Sequence, residues 1–100
     1  MTPFDTYITR QRSTSVATAS VTSVVSTVVI VAANPNRKGC IIYNNSSAIL
    51  TLAFDGNDVS TKFTTKVGAN SEYQVPFGFC GAIYGAWASV NGNAYITEFI

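Results

Sequence analysis

The stretch Ala33-Asn34-Pro35-Asn36-Arg37-Lys38-Gly39-Cys40-Ile41-Ile42-Tyr43-Asn44-Asn45-Ser46-Ser47 reads as turn, strand, turn. Proline has no N–H and restricts the residue before it, so Asn34-Pro35-Asn36 cannot continue a strand. Gly39 releases the chain into the apolar run Cys40–Tyr43. Asn44-Asn45-Ser46-Ser47 then ends the run with side chains that bond their own backbone and tolerate left-handed angles. Apolar strands flank it, Val24–Val31 before and Ile49–Phe54 after. Such a strand needs cover on both faces, and one sheet cannot supply it. The rest of the chain is read as that cover.

Working outward, Val24–Val31 is a β-branched run of the kind buried strands use. In Lys62–Val67, Phe63, Thr65 and Val67 alternate with Lys62, Thr64 and Lys66, which predicts the first set inward. Glu72–Val75 is a strand stopped by Pro76, and Ala82–Ser89 another, containing Ile83, Tyr84 and Trp87. Asn91-Gly92 before Asn93–Phe99 is the strongest short hairpin signal, because both residues accept positive φ. No segment keeps a helical period. Short strands with turns every 8–12 residues predict an all-β fold, an antiparallel β-sandwich of 7–8 strands, jelly-roll-like or Ig-like. Its expected core is Val25, Val29, Ile42, Leu50, Leu52, Phe63, Tyr73, Val75, Ile83, Trp87 and Ile96. Trp87 is read as core, or half-core with its N–H reaching a partner.

Residues 1–23 read differently. Met1–Arg12 sets Pro3, Phe4, Tyr7 and Ile8 among polar and charged neighbours, and Gln11–Ser23 is Ser/Thr/Ala/Val low complexity. The expected organisation is an extended N-terminal arm, 1–23, and a sandwich domain, 24–100. The arm is expected to leave the sandwich and lie along a neighbouring subunit. Phe4, Tyr7 and Ile8 would be its apolar anchors, Pro3 would favour an extended backbone, and Arg10 and Arg12 would meet acidic groups. The alternative is an arm folded back as one more edge strand.

One hundred residues make one domain. Charged residues are only 11% of the chain, against about 25% in an ordinary soluble domain. Hydrophobic residues reach 47% and the net charge is +1. Six scattered cations do not form the basic face that nucleic acid requires. Residues 16–33 are long enough for a membrane span, but Thr18, Ser20, Thr22, Ser23, Ser26 and Thr27 dilute them. A signal peptide fits poorly, since Arg10 and Arg12 follow Asp5. A weakly charged surface suits close packing against protein, and a homo-oligomer is expected, with a trimer favoured.

Candidate chemistry is sparse. With no histidine there is neither a Ser-His nor a Cys-His pair. Cys40 and Cys80 are too few and too far apart for structural zinc; they are read as buried thiols, with a disulfide left open. Asp55-Gly56-Asn57-Asp58 reads as turn chemistry rather than a calcium loop. Glu72 and Glu98 lie on separate strands, and Arg37-Lys38 reads as ordinary solvated charge. The expectation is a protein that is not an enzyme and needs no cofactor.

Several pieces together carry a resemblance: Asn34-Pro35-Asn36-Arg37-Lys38-Gly39, then Ile42-Tyr43-Asn44, then Glu72-Tyr73-Gln74-Val75-Pro76. The last are Gly81-Ala82-Ile83-Tyr84-Gly85-Ala86-Trp87 and Gly92-Asn93-Ala94-Tyr95-Ile96-Thr97-Glu98. Over about residues 24–98 the chain resembles small structural proteins of tailed bacteriophages. The resemblance implies a β-sandwich virion component, assembled in the bacterial host cytoplasm. A capsid decoration or cement protein, partnered by the major capsid protein or neighbouring virion subunits, is the leading expectation. The alternatives are a head–tail connector component, or a receptor- or glycan-binding domain of a tail or head fibre. In that last case Phe77, Phe79, Tyr84, Trp87 and Tyr95 would form a stacking platform.

Overall fold

The structure is a computed structural model and describes residues 13–54, 59 and 62–100. These residues form eight strands: β1 (Val16–Thr22), β2 (Val28–Val31), β3 (Gly39–Asn45) and β4 (Leu50–Ala53), then β5 (Thr65–Val67), β6 (Glu72–Val75), β7 (Ile83–Trp87) and β8 (Asn93–Phe99). Every pairing is antiparallel. One sheet has the order β1-β8-β3-β6 and the other β2-β7-β4-β5. Four pairings, β1 with β8, β2 with β7, β3 with β6 and β4 with β5, nest one inside the next. The chain is thus one long hairpin turning between β4 and β5. Rolling it sets β3 beside β8 and β4 beside β7. Of the two sandwich types expected, this strand order is the jelly roll.

The core lies between the sheets. β3 contributes Cys40 and Ile42, β8 contributes Ala94 and Ile96, and β6 contributes Val75. The facing sheet adds Leu50, Leu52, Val67, Ile83 and Trp87. Each large apolar side chain buried here is worth about 1.5–3 kcal/mol. A smaller cluster, Ala53, Ala86 and Val59, sits apart from this core.

Six expectations need correction. The run Val24–Val31 is not one strand. It bends at Val25 and Ser26, because it crosses from one sheet to the other. The Ser23 N–H donates to the Gly92 carbonyl at 3.2 Å, while the Trp87 N–H donates to the Val24 carbonyl at 2.8 Å. Val25 at that crossing is 61% exposed rather than core. Val29 is exposed as well, since the register of β2 slips between Val29 and Val31. The bulge turns Ile30 and Val31 both inward. Phe63 is exposed because pairing begins only at Thr65, and the Lys66 ammonium lies 5.0 Å from its ring centroid. Asn91-Gly92 does not close a hairpin. It joins β7 of one sheet to β8 of the other, with Gly92 at φ 66°. Finally, Val16–Thr22 does not leave the sandwich. It is the edge strand β1, paired with β8 along its whole length, the alternative arrangement for this part of the arm. A β-branched, uncharged strand beside the open edge of β8 satisfies ladder bonds that water would otherwise take.

Candidate interaction surface

Two buried polar nodes pin the ends of the sandwich, and between them one sheet face is left open by the described residues. At the first node, Arg37 is 1% exposed, not solvated as its sequence context suggested. Its Nε donates to the Phe79 carbonyl at 3.1 Å and its Nη2 to the Gly81 carbonyl. Nη1 donates to the Ala32 carbonyl at 3.1 Å and pairs with Glu98 Oε2 at 3.0 Å. The planar five-donor fork of guanidinium makes one residue sufficient to hold three loop carbonyls and a carboxylate. These bonds tie the end of β2 and the loop after β6 to the end of β8.

At the other end, Asn44 is fully buried on β3. Its Nδ2 donates to the carbonyls of Ala48 at 2.7 Å, Val67 at 3.1 Å and Gly68 at 3.1 Å. Its Oδ1 accepts from Ser46 Oγ at 2.7 Å and Trp87 Nε1 at 3.1 Å. The amide thereby links the two sheets, and Trp87 finds the N–H partner expected of it. Every buried side-chain polar atom among the described residues is satisfied.

Between these two nodes lies the outer face of the β1-β8-β3-β6 sheet. Alternation along β3 sends Ile41 and Tyr43 outward while Cys40, Ile42 and Asn44 go in. The registers align the outward side chains in rows. Thr18, Thr97, Ile41 and Gln74 form one, and Ser20, Tyr95, Tyr43 and Glu72 the next. A third row sets Val16 and Phe99 beside Gly39. Glu72 is the only charge in these rows. Tyr95 is 50% exposed and Phe77, at the end of the sheet, 59%. The outward face of an antiparallel sheet is normally polar; this one carries isoleucine, two tyrosines and two phenylalanines.

The apolar end of the face is hollowed. Gly39 has no side chain, and a Cβ there would lie 3.5 Å from the Phe77 ring and 3.6 Å from Phe99. The two rings flank a hollow of about 210 Å³ that extends over Ile41 and Gln74. Cys40 lies at its floor, and burial pushes its thiol up to about 11 against an ordinary 9.0, so it is neither a thiolate nor a ready nucleophile. Cys40 and Cys80 are both free, which resolves the pairing left open by the sequence, and Cys80 is only half-buried.

The expected glycan platform is dispersed. Trp87 is 2% exposed and closed to a sugar. Phe79 is half-buried and stacks on Phe54 at 4.9 Å between centroids. Tyr84 is on the other sheet, and only Phe77 and Tyr95 belong to the open face. Glu72 and Glu98 are separated by β3 and do not pair. Among the described residues, no group of three His, Cys, Asp or Glu converges as a metal site needs. Pro3, Phe4, Tyr7, Ile8, Arg10 and Arg12 lie outside the described residues, as do Asp55 and Asp58.

Sequence reasoning missed Ile41, Tyr43 and Phe99 as surface residues. The signal was available in the alternation of Cys40–Tyr43, which places Ile41 and Tyr43 opposite Ile42. Comparison with family models, curated proteins and solved structures finds no match for this chain.

Proposed function

We propose that this chain is a non-enzymatic structural protein that works by packing against other protein subunits. Its setting is a bacteriophage virion, where it decorates or cements the capsid, contacts the major capsid protein or neighbouring subunits and self-associates. The observation that carries the packing function is the open face of the β1-β8-β3-β6 sheet. That face is nearly uncharged, aromatic and held by a well-packed core, the composition that interface cores favour. The virion setting rests on the sequence resemblance. The jelly roll is compatible with it but serves viral capsid proteins, lectins and cupins alike.

The test is Ile41→Arg, which sets a cation at the centre of the face. The variant is expected to fold as the wild type does, by melting temperature and circular dichroism, and to lose incorporation into particles. Wild-type occupancy would sink the face as the docking surface. A second reading, a receptor- or glycan-binding domain, draws on Tyr43 standing opposite Tyr95 with both rings exposed. Titration of the wild type with host-surface glycans separates the two, since only the second predicts saturable binding lost in Tyr95→Ala.

A further inference from the structure

The two sheets present four edge strands, and among the described residues three carry a device against pairing with another chain. β6 begins at Glu72 and runs into Pro76. β5 is three residues long and contains Lys66. β2 is interrupted by its bulge. β1 has none of these. Its seven residues, Val-Ala-Thr-Ala-Ser-Val-Thr, contain no charge and no proline, and they keep unbroken register with β8. An edge of this kind is a template for another strand.

The ladder shows which backbone groups of β1 have no partner among the described residues. The Ser15 N–H donates to the Ile100 carbonyl at 3.3 Å, and the Ile100 N–H returns to the Ser15 carbonyl at 2.9 Å. At the other end the Ser23 N–H donates to the Gly92 carbonyl. Antiparallel ladders alternate, so Ala17, Ala19 and Val21 also bond towards β8. The N–H and C=O of Val16, Thr18, Ser20 and Thr22 therefore point away from the sheet.

We infer that β1 pairs antiparallel with β1 of a second copy, about a two-fold axis at Ala19, making one continuous eight-stranded sheet. The free groups dictate the register: Val16 opposite Thr22, Thr18 opposite Ser20, and Ala19 opposite its own copy. No charge opposes a charge, and β-branched and hydroxyl side chains meet one another across the junction. A two-fold contact requires such self-complementarity. The outer face also continues across it, because Thr18 and Ser20 border a hollow of about 460 Å³ with Tyr95 and Thr97. The inference deepens the proposal that the protein self-associates, and it specifies a dimer in place of the trimer expected from sequence.

The full chain is examined by sedimentation velocity from low to high micromolar concentration, with two variants. Thr18→Pro removes an N–H aimed at the free edge and takes no bond from β8. Ala19→Lys sets like charges opposite each other at the axis, at a position exposed in the single chain. A wild-type monomer–dimer equilibrium, with both variants monomeric and unchanged in circular dichroism, is the expected result. If Thr18→Pro fails to fold, Ala19→Lys alone decides. A wild type that stays monomeric or forms trimers overturns the inference, as do variants that dimerise like the wild type. Dimers that survive both variants but dissociate in Ile41→Arg overturn the edge and leave the packing face standing.

Discussion

At the scale of single residues, two buried polar side chains, Arg37 and Asn44, hold the ends of the sandwich. Arg37 holds three carbonyls and Glu98. Arg37→Ala leaves all four without their partner, and breaking a buried pair in this way costs about 3–5 kcal/mol. Urea unfolding measures it, and a loss below about 1 kcal/mol would mean that water replaces the guanidinium. Trp87→Ala is expected to cost about 3–5 kcal/mol and impair folding, whereas an unchanged melting temperature would contradict the burial of the indole. Cys40 makes stability depend on pH. Its thiol is pushed up to about 11 from 9.0, so above pH 9 the unfolded chain releases a proton that the folded chain keeps. Stability is fully present below 9 and falls as pH rises towards 11. Comparing wild type with Cys40→Ala across that window isolates the effect from the tyrosines and lysines, and parallel curves would remove it.

At the scale of elements, the connections carry as much information as the strands. Gly92 sits at φ 66°, where a side chain costs about 1–2 kcal/mol in backbone strain. A Cβ there would also run into the Asn45 carbonyl. Gly92→Ala should therefore destabilise the domain by more than the strain alone, read from thermal melts. A neutral substitution would show that the crossing between sheets has room to shift. The bulge in β2 and the bend at Val25 and Ser26 have a common origin. Both occur where the chain leaves one sheet for the other, and each redirects side chains that strict alternation would have assigned to the other face.

At the scale of the whole molecule, the nested hairpin explains why an N-terminal strand belongs to the domain. β1 and β8 close the roll, so removing residues 1–23 uncovers the β8 edge, and the truncated chain should melt lower than the full one. Removing only residues 2–12 is expected to leave the melting temperature alone and to weaken incorporation into particles, where Phe4, Tyr7 and Ile8 are proposed as anchors. Wild-type occupancy of that truncation would discard the anchors without touching the sheet face.

Seven of the eight strands and most of the core were legible in the chain alone, because period-two alternation is local. Glu72–Val75 and Asn93–Phe99 emerge with the boundaries read from sequence, and Ile42, Leu50, Leu52, Ile83 and Trp87 are buried as expected. Only the tertiary structure decided which strands share a sheet, because register between distant segments leaves no trace in either segment alone. The same reason hid Arg37, whose burial depends on the carbonyls of Phe79 and Gly81 and the carboxylate of Glu98, all remote in sequence. Of the open face, only the alternation of Ile41 and Tyr43 with Ile42 was legible. Ile41 looks like core in a four-residue apolar run, and becomes surface once β3 is flanked by β8 and β6 with nothing described above it.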